Sequence, residues 1–318
     1  MKSTRGRLLA GVLLGVAVLI GMGLYGDGRK LAASLAGFRW SLLVPVLGLT
    51  LLNYALRFLK WHYFLRVVGA RPALSDSALV FLSGLGMAVT PGKLGELLKA
   101  VLLRDRAGVP AAKTASVVLT ERLTDFIALV LLASVGVVST GHGVIVLGIA
   151  AAGSIAVVVV ASSEPLAHWA IGLIARLPKI GLAVAPKLEA LYRSIATLVR
   201  PGPLAATTVL SCAAWFCECV GYDLVLSGLT DGAPSLGTAT FIYAFATIFG
   251  AVTLLPGGLG TTEGSLIGLA QAFGVATTRA ASTAAAMLIR FCTLWFAVVV
   301  GLIAWVVLRR LPPRPHSA

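Results

Sequence analysis

At 318 residues, with 58% hydrophobic and only 12% charged side chains, the chain is far poorer in charge than a soluble domain, where roughly a quarter of residues are charged. It cannot cover itself with polar surface, which excludes a soluble enzyme and points to a polytopic integral membrane protein of a bacterial-type inner membrane. The net charge of +14 does not mark a nucleic-acid partner, because the basic residues fall between apolar runs rather than along one stripe interleaved with aromatics.

The chain opens with a basic stretch, Met1 to Arg7, followed by an apolar run from Leu8 to Gly26. That run lacks a small-x-small cleavage site and is long enough to cross a bilayer, so 8–26 is predicted to be a retained first helix. Five more runs, 41–66, 115–138, 143–162, 204–228 and 280–308, each reach the ~20 residues that one crossing needs. Two other apolar regions, 76–104 and 236–273, are broken near their middles by Pro91-Gly92 and by Pro256-Gly257-Gly258. Proline removes a backbone donor and clashes with the preceding turn, and glycine weakens a helix further, so each region is predicted to be two half-helices. Backbone that is not helical at membrane depth is tolerated only where protein or a water-filled cavity satisfies it. The expected fold is therefore all-α, with about six full transmembrane helices and two re-entrant helical hairpins.

Basic residues orient this arrangement. With the N-terminus inside, segments 1–7, 57–75, 93–113, 164–203 and 309–318 hold 20 of the 26 lysines and arginines, whereas the outer segments hold Arg29, Lys30, Arg39 and Arg279. Lysine and arginine are retained on the cytoplasmic side, which predicts a multi-pass cell-membrane protein with both termini cytoplasmic. On the same rule Arg57, Lys60 and Arg66 are expected to anchor the inner end of the second span.

The two broken regions repeat one order of motifs. Pro91-Gly92-Lys93-Leu94-Gly95-Glu96 is followed by Glu121-Arg122, and Pro256-Gly257-Gly258-Leu259-Gly260 is followed by Glu263 and then Arg290, with proline-to-arginine separations of 31 and 34 residues. Three crossings lie between the hairpins, so they are expected to enter from opposite faces as an inverted-topology repeat, an arrangement that places substrate at the repeat interface. The whole of 1–318 is expected to be a single membrane domain. Its parts are a first helix (8–26), repeat unit 1 (41–138), a connecting helix and linker (143–203), repeat unit 2 (204–308) and a cytoplasmic tail (309–318). Within the linker, Pro186 is predicted to open an amphipathic helix carrying a Glu189–Arg193 pair four residues apart, lying in the inner interface or solvated as a linker.

Ionisable side chains inside spans are costly and usually face the bundle interior. Here they are Glu96, Glu121, Arg122, Asp125, Glu218, Asp223, Glu263 and Arg290. Glu121 and Asp125 share a helical face beside Arg122, which suits a self-neutralising cluster, headgroup binding or a proton relay. Glu218 and Asp223 point to diverging faces and can snorkel at a helix end. The half-helix after each break presents free N–H groups and a positive dipole end, which suits a phosphate, with Arg122 and Arg290 supplying neutralising charge. Cys212, Cys217, Cys219 and Cys292 lie in apolar runs and are expected to be small buried hydrophobes. Gly257-Gly258-Leu259-Gly260 has neither the spacing nor the sheet context of a nucleotide fingerprint, so no cofactor or metal is expected.

At these motifs the sequence resembles the lysylphosphatidylglycerol synthase transmembrane (flippase-like) family. Thr90-Pro91-Gly92-Lys93-Leu94-Gly95-Glu96, Glu121-Arg122-Leu123-Thr124-Asp125, and Leu255-Pro256-Gly257-Gly258-Leu259-Gly260 with Glu263 and Arg290 carry the resemblance, which runs over about residues 8–308. In bifunctional members of that family the membrane region flips aminoacylated phosphatidylglycerol and a separate soluble domain attaches the amino acid. No such soluble segment stands in this sequence, so the resemblance implies the translocase half. The expected function is a flippase for a lipid or lipid-linked intermediate, with a phospholipid or polyprenyl-phosphate substrate; a homodimer is compatible with it. A membrane-embedded transferase acting on a lipid phosphate and an ion-coupled small-solute transporter are the alternatives.

Overall fold

The computed structural model describes residues 2–90, 96–140, 144–175, 181–230, 235–276 and 278–311. Every regular element among them is helical: α1 (Lys2–Tyr25), α2 (Gly28–Ala36), α3 (Leu43–Val67), α4 (Leu74–Leu85), α5 (Leu98–Ala107), α6 (Ala111–Thr140), α7 (Val144–Ser162), α8 (Glu164–Ala175), α9 (Gly181–Leu198), α10 (Pro201–Leu229), α11 (Leu236–Val252), α12 (Thr261–Ala272), α13 (Arg279–Arg290) and α14 (Phe296–Arg310). Three stretches among the described residues, Trp40–Val67, Pro201–Leu229 and Arg279–Arg310, are long and apolar enough to cross a membrane, and Leu13–Tyr25, Leu74–Leu85 and Leu236–Val252 are shorter apolar helices.

The distribution of side chains is that of a protein dissolved in lipid. Large apolar residues such as Val44, Ile145 and Ile149 stand on the outside. Lys60, Lys99, Glu96, Glu121 and Asp125 are buried. In water this arrangement would lose most of the hydrophobic driving force, whereas in hydrocarbon it hides the groups that cannot be solvated.

Both predicted breaks interrupt their helices. α4 ends at Leu85 and α5 starts at Leu98, with Pro91, Gly92, Lys93 and Gly95 outside the described residues. The second break is fully described. α11 ends at Val252, a single helical turn spans Pro256–Gly258, and α12 begins at Thr261. Gly257, Gly258 and Gly260 have φ of 61°, 67° and 85°, values that an L side chain rarely adopts. The glycines there are required by the turn rather than merely tolerated.

Helices on either side of the α9–α10 connection pack against one another. α3 lies along α10, α4 lies along α14, and α11 lies along α6. The first limb of each broken region thus leans on the long helix of the other half, while the second limbs, α5 and α12, lean on α6 and α13 of their own half. At the α4–α14 crossing the Gly86 and Gly301 backbones touch, and a Cβ on Gly301 would overlap the main chain of Gly86. Close approach of this kind is how helices associate in lipid, where packing rather than water exclusion drives contact.

Two local expectations are corrected. Pro186 lies inside α9 rather than opening it. The helix accepts the loss of one N–H bond and begins at Gly181, while Leu198 at its far end is buried and α9 packs along α6. α9 is therefore held by α6 and is not a free solvated linker. The expected Glu189–Arg193 pair is present at 3.0 Å. Cys217, Cys219 and Cys292 are buried thiols and Cys212 is half-buried.

Candidate functional site

One face of α6 carries Glu121, Arg122 and Asp125, and each is matched by a side chain from a different segment. Lys99 Nζ of α5 donates to Glu121 Oε2 at 2.8 Å. A guanidinium nitrogen of Arg122 donates to Glu96 Oε2 at 2.8 Å. Lys60 Nζ of α3 donates to Asp125 Oδ1 at 2.5 Å and to Ser211 Oγ of α10 at 2.8 Å. The links between these pairs are longer, with Lys99 to Glu96 at 3.8 Å and Arg122 to Asp125 at 3.7 Å. Six charges therefore stand in a row of alternating sign, Glu121, Lys99, Glu96, Arg122, Asp125 and Lys60, in which short and long contacts alternate.

This row corrects two expectations. The α6 charges neutralise one another only in part, through the 3.7 Å Arg122–Asp125 contact, and each takes a closer partner from outside α6. Lys60 is not an anchor at the membrane surface. It is 1% exposed and committed to Asp125. The reason is physical: a lysine this deep must bring a carboxylate with it, because an unpaired buried charge costs several kcal/mol.

The second break is held by a Glu–Arg pair of its own. Glu263 sits in the first turn of α12 and accepts from the Gly260 backbone N–H at 2.7 Å, which caps that helix. Arg290 Nε donates to Glu263 Oε1 at 2.6 Å, and a terminal nitrogen of the same guanidinium donates to the Gly257 carbonyl at 2.6 Å. Arg290 ends α13, and the chain continues through one π-helical turn, Phe291–Trp295. Such a turn leaves carbonyls poorly matched within the helix and is frequent at functional sites; here Thr293 O accepts from Tyr54 Oη at 2.9 Å.

Between the second break and the described flanks of the first lies a cavity of about 290 Å³. Arg57, Glu96, Arg122, Asp125, Glu218 and Arg290 give it a charged lining, and Leu85, Phe126, Leu129, Leu254 and Leu294 an apolar one. Ala88 flanks the first break, and Gly257 and Gly258 belong to the second; all three reach it. Val89 and Leu259, one from beside each break, meet in a common apolar cluster with Leu294 and Val298. The described ends of both breaks therefore converge.

Of the residues expected at the site, Glu96, Arg122, Asp125, Gly257, Gly258 and Arg290 line the cavity. Glu121 and Glu263 stand behind it, bonded to Lys99 and Arg290, and Gly260 is tied to Glu263. Pro256 begins the turn that carries Gly257. Asp223 does not line it. The sequence reading missed Arg57, Tyr54, Trp215 and Tyr243, and it left Glu218 at a helix end. Glu218 is instead buried and accepts from Tyr243 Oη at 2.6 Å. A signal for Arg57 was present: Asn53, Tyr54, Arg57 and Lys60 recur at helical spacing inside one apolar run, the mark of a span with a polar inner face.

No curated protein matches the chain. The family described as Lysylphosphatidylglycerol synthase TM region matches residues 9–301, an interval that takes in both breaks, every residue of the charged row and Arg290. The protein belongs to the lysylphosphatidylglycerol synthase transmembrane family.

Proposed function

We propose that the protein translocates a lipid or lipid-linked intermediate across the inner membrane, holding its phosphate-bearing headgroup in the cavity between the two breaks. The observation that carries this is the convergence of the described ends of both breaks on a cavity with six charged lining residues, inside a molecule with large apolar side chains on its outer surface. Family membership supports a role in membrane lipid handling. A charged cavity framed by apolar side chains suits an amphiphile, whose headgroup needs polar company while its chains stay in hydrocarbon.

In this proposal the two broken regions are re-entrant hairpins entering from opposite faces, and both chain termini are cytoplasmic. The crossed packing of α4 on α14 and α11 on α6, with Glu96–Arg122 and Glu263–Arg290 at separations of 26 and 27 residues, supports an internal two-fold relation between the units. Transporters built from inverted repeats bind substrate at the repeat interface, which supports this reading of the cavity.

The test is reconstitution into vesicles with a fluorescent phospholipid on one leaflet, scored by chemical quenching. Arg290→Glu reverses the charge that joins Glu263 to the Gly257 carbonyl and is expected to abolish movement, scored on the fraction of the variant that is monodisperse. Undiminished movement by a folded Arg290→Glu variant would remove Arg290 from the pathway, and no movement of any phospholipid or polyprenyl phosphate by the unmodified protein would remove the function.

A further inference from the structure

Among the described residues the cations around the cavity separate into those already matched and one that is not. Glu96 holds Arg122, Glu121 holds Lys99, Asp125 holds Lys60 and Glu263 holds Arg290, at 2.8, 2.8, 2.5 and 2.6 Å. Arg57 makes no ion pair among the described residues. Its Nε is buried without a hydrogen-bond partner there, and its guanidinium carbon lies 5.8 Å from the ring centroid of Trp215, whose own Nε1 is likewise unmatched. Both side chains line the cavity.

A guanidinium offers five donors in a fixed fork that fits a phosphate, and an indole N–H adds a neutral donor at its side. Two unmatched donor groups side by side in a partly apolar cavity are costly when empty and are satisfied by an anion. Arg122 and Arg290 are differently placed, because each guanidinium is already neutralised by a buried carboxylate at 2.8 or 2.6 Å, even though Arg122 Nε is also unmatched.

From this we infer that Arg57, flanked by Trp215, is the residue that holds the ligand's anion, and that the ligand is a phosphodiester carrying a single negative charge rather than a phosphomonoester or diphosphate. This rests on the translocation proposal for the identity of the cavity, and it shifts the phosphate contact from Arg122 and Arg290 to Arg57 of α3, ahead of the first break. The single charge follows from there being one uncommitted cation among the described residues that line the cavity. Glu218 shares the cavity and raises the cost of any second negative charge. Substrates of the polyprenyl mono- and diphosphate type are disfavoured by the same electrostatics.

The experiment measures binding to the purified full chain in nanodiscs of neutral lipid, by calorimetry or native mass spectrometry. The probes are dihexanoylphosphatidylglycerol (a diester), dihexanoylphosphatidic acid (a monoester), inorganic phosphate, and dihexanoylglycerol without phosphate. Wild type is expected to prefer the diester over the other three, and Arg57→Gln to lose on the order of tenfold or more of that affinity, the range for a hydrogen bond to a charged group. Arg57→Lys keeps the charge without the fork and is expected to fall between them. Unchanged diester affinity in a folded Arg57→Gln variant overturns the inference, as does tighter binding of the monoester or of free phosphate by wild type. Should Arg57→Gln fail to fold, Arg57→Lys decides, since wild-type affinity there overturns the fork geometry. Diester binding that depends on Arg57 without lipid movement in vesicles would sink translocation alone. Movement that persists with diester affinity unchanged by Arg57→Gln would sink this inference alone.

Discussion

Lys60 Nζ lies 2.5 Å from Asp125 Oδ1, joining α3 to α6 at a point where both also reach Ser211 of α10. The two residues are 1% and 4% exposed. Removing one member of such a pair strands the other charge in the interior at a cost of about 3–5 kcal/mol, whereas replacing both with apolar groups is often neutral. Lys60→Met is therefore expected to destabilise the protein by about that amount, and Lys60→Met with Asp125→Leu to recover most of it. Thermal melting of the detergent-purified variants checks this; a double variant no better than the single would show that Ser211 and Thr124 require the charges.

Glu96 and Arg122 are not an isolated pair. Lys99 stands 3.8 Å beyond Glu96 and Asp125 stands 3.7 Å beyond Arg122. Exchanging the two, as Glu96→Arg with Arg122→Glu, would rescue a solitary ion pair, but here it sets the new arginine against Lys99 and the new glutamate against Asp125. The exchanged protein is expected to remain as unstable as either single variant, measured as the yield of monodisperse protein after solubilisation. Recovery to the wild-type yield would mean that the row has no energetic continuity.

The α4–α14 crossing has no room for a side chain at Gly301. Gly301→Leu is expected to cost about 1–3 kcal/mol, the range for overpacking, and to separate α14 from α4. Gly268 of α12 meets nothing within 4 Å of where a Cβ would stand, so Gly268→Ala is the control expected to melt with the wild type. Equal melting of Gly301→Leu and wild type would show that the crossing opens at little cost.

Orientation is tested by single cysteines in a background lacking the four native ones. Ser34 in α2 and Ser194 in α9 are partly exposed and fall on opposite sides of the proposed topology. A membrane-impermeant maleimide applied to intact cells is expected to label Ser34→Cys, and to label Ser194→Cys only after permeabilisation. The reverse pattern would invert the chain in the membrane.

The sequence made some of this legible and hid the rest for identifiable reasons. Pro256-Gly257-Gly258 announced a break, because those residues act on the backbone locally and need no partner. Arg290 and Glu263 were legible through the order they share with Arg122 and Glu96. Lys60 and Arg57 were not, since a basic residue near the cytoplasmic end of a span has a ready explanation as an anchor. What distinguishes them lies elsewhere in the chain: Asp125, 65 residues on, and Trp215 on α10. Pairing across such separations leaves no local pattern. The π-helical turn after Arg290 was equally silent, because Phe291–Trp295 has no proline or glycine to mark it.

Because α4 leans on α14 and α11 leans on α6, the halves are braided rather than set side by side. Cutting the chain between α9 and α10 would leave each fragment with a bare flank shaped for the missing one, and neither would enclose a chamber. Such fragments would need to be made together in one cell and to reassemble in trans before the charged cavity could form.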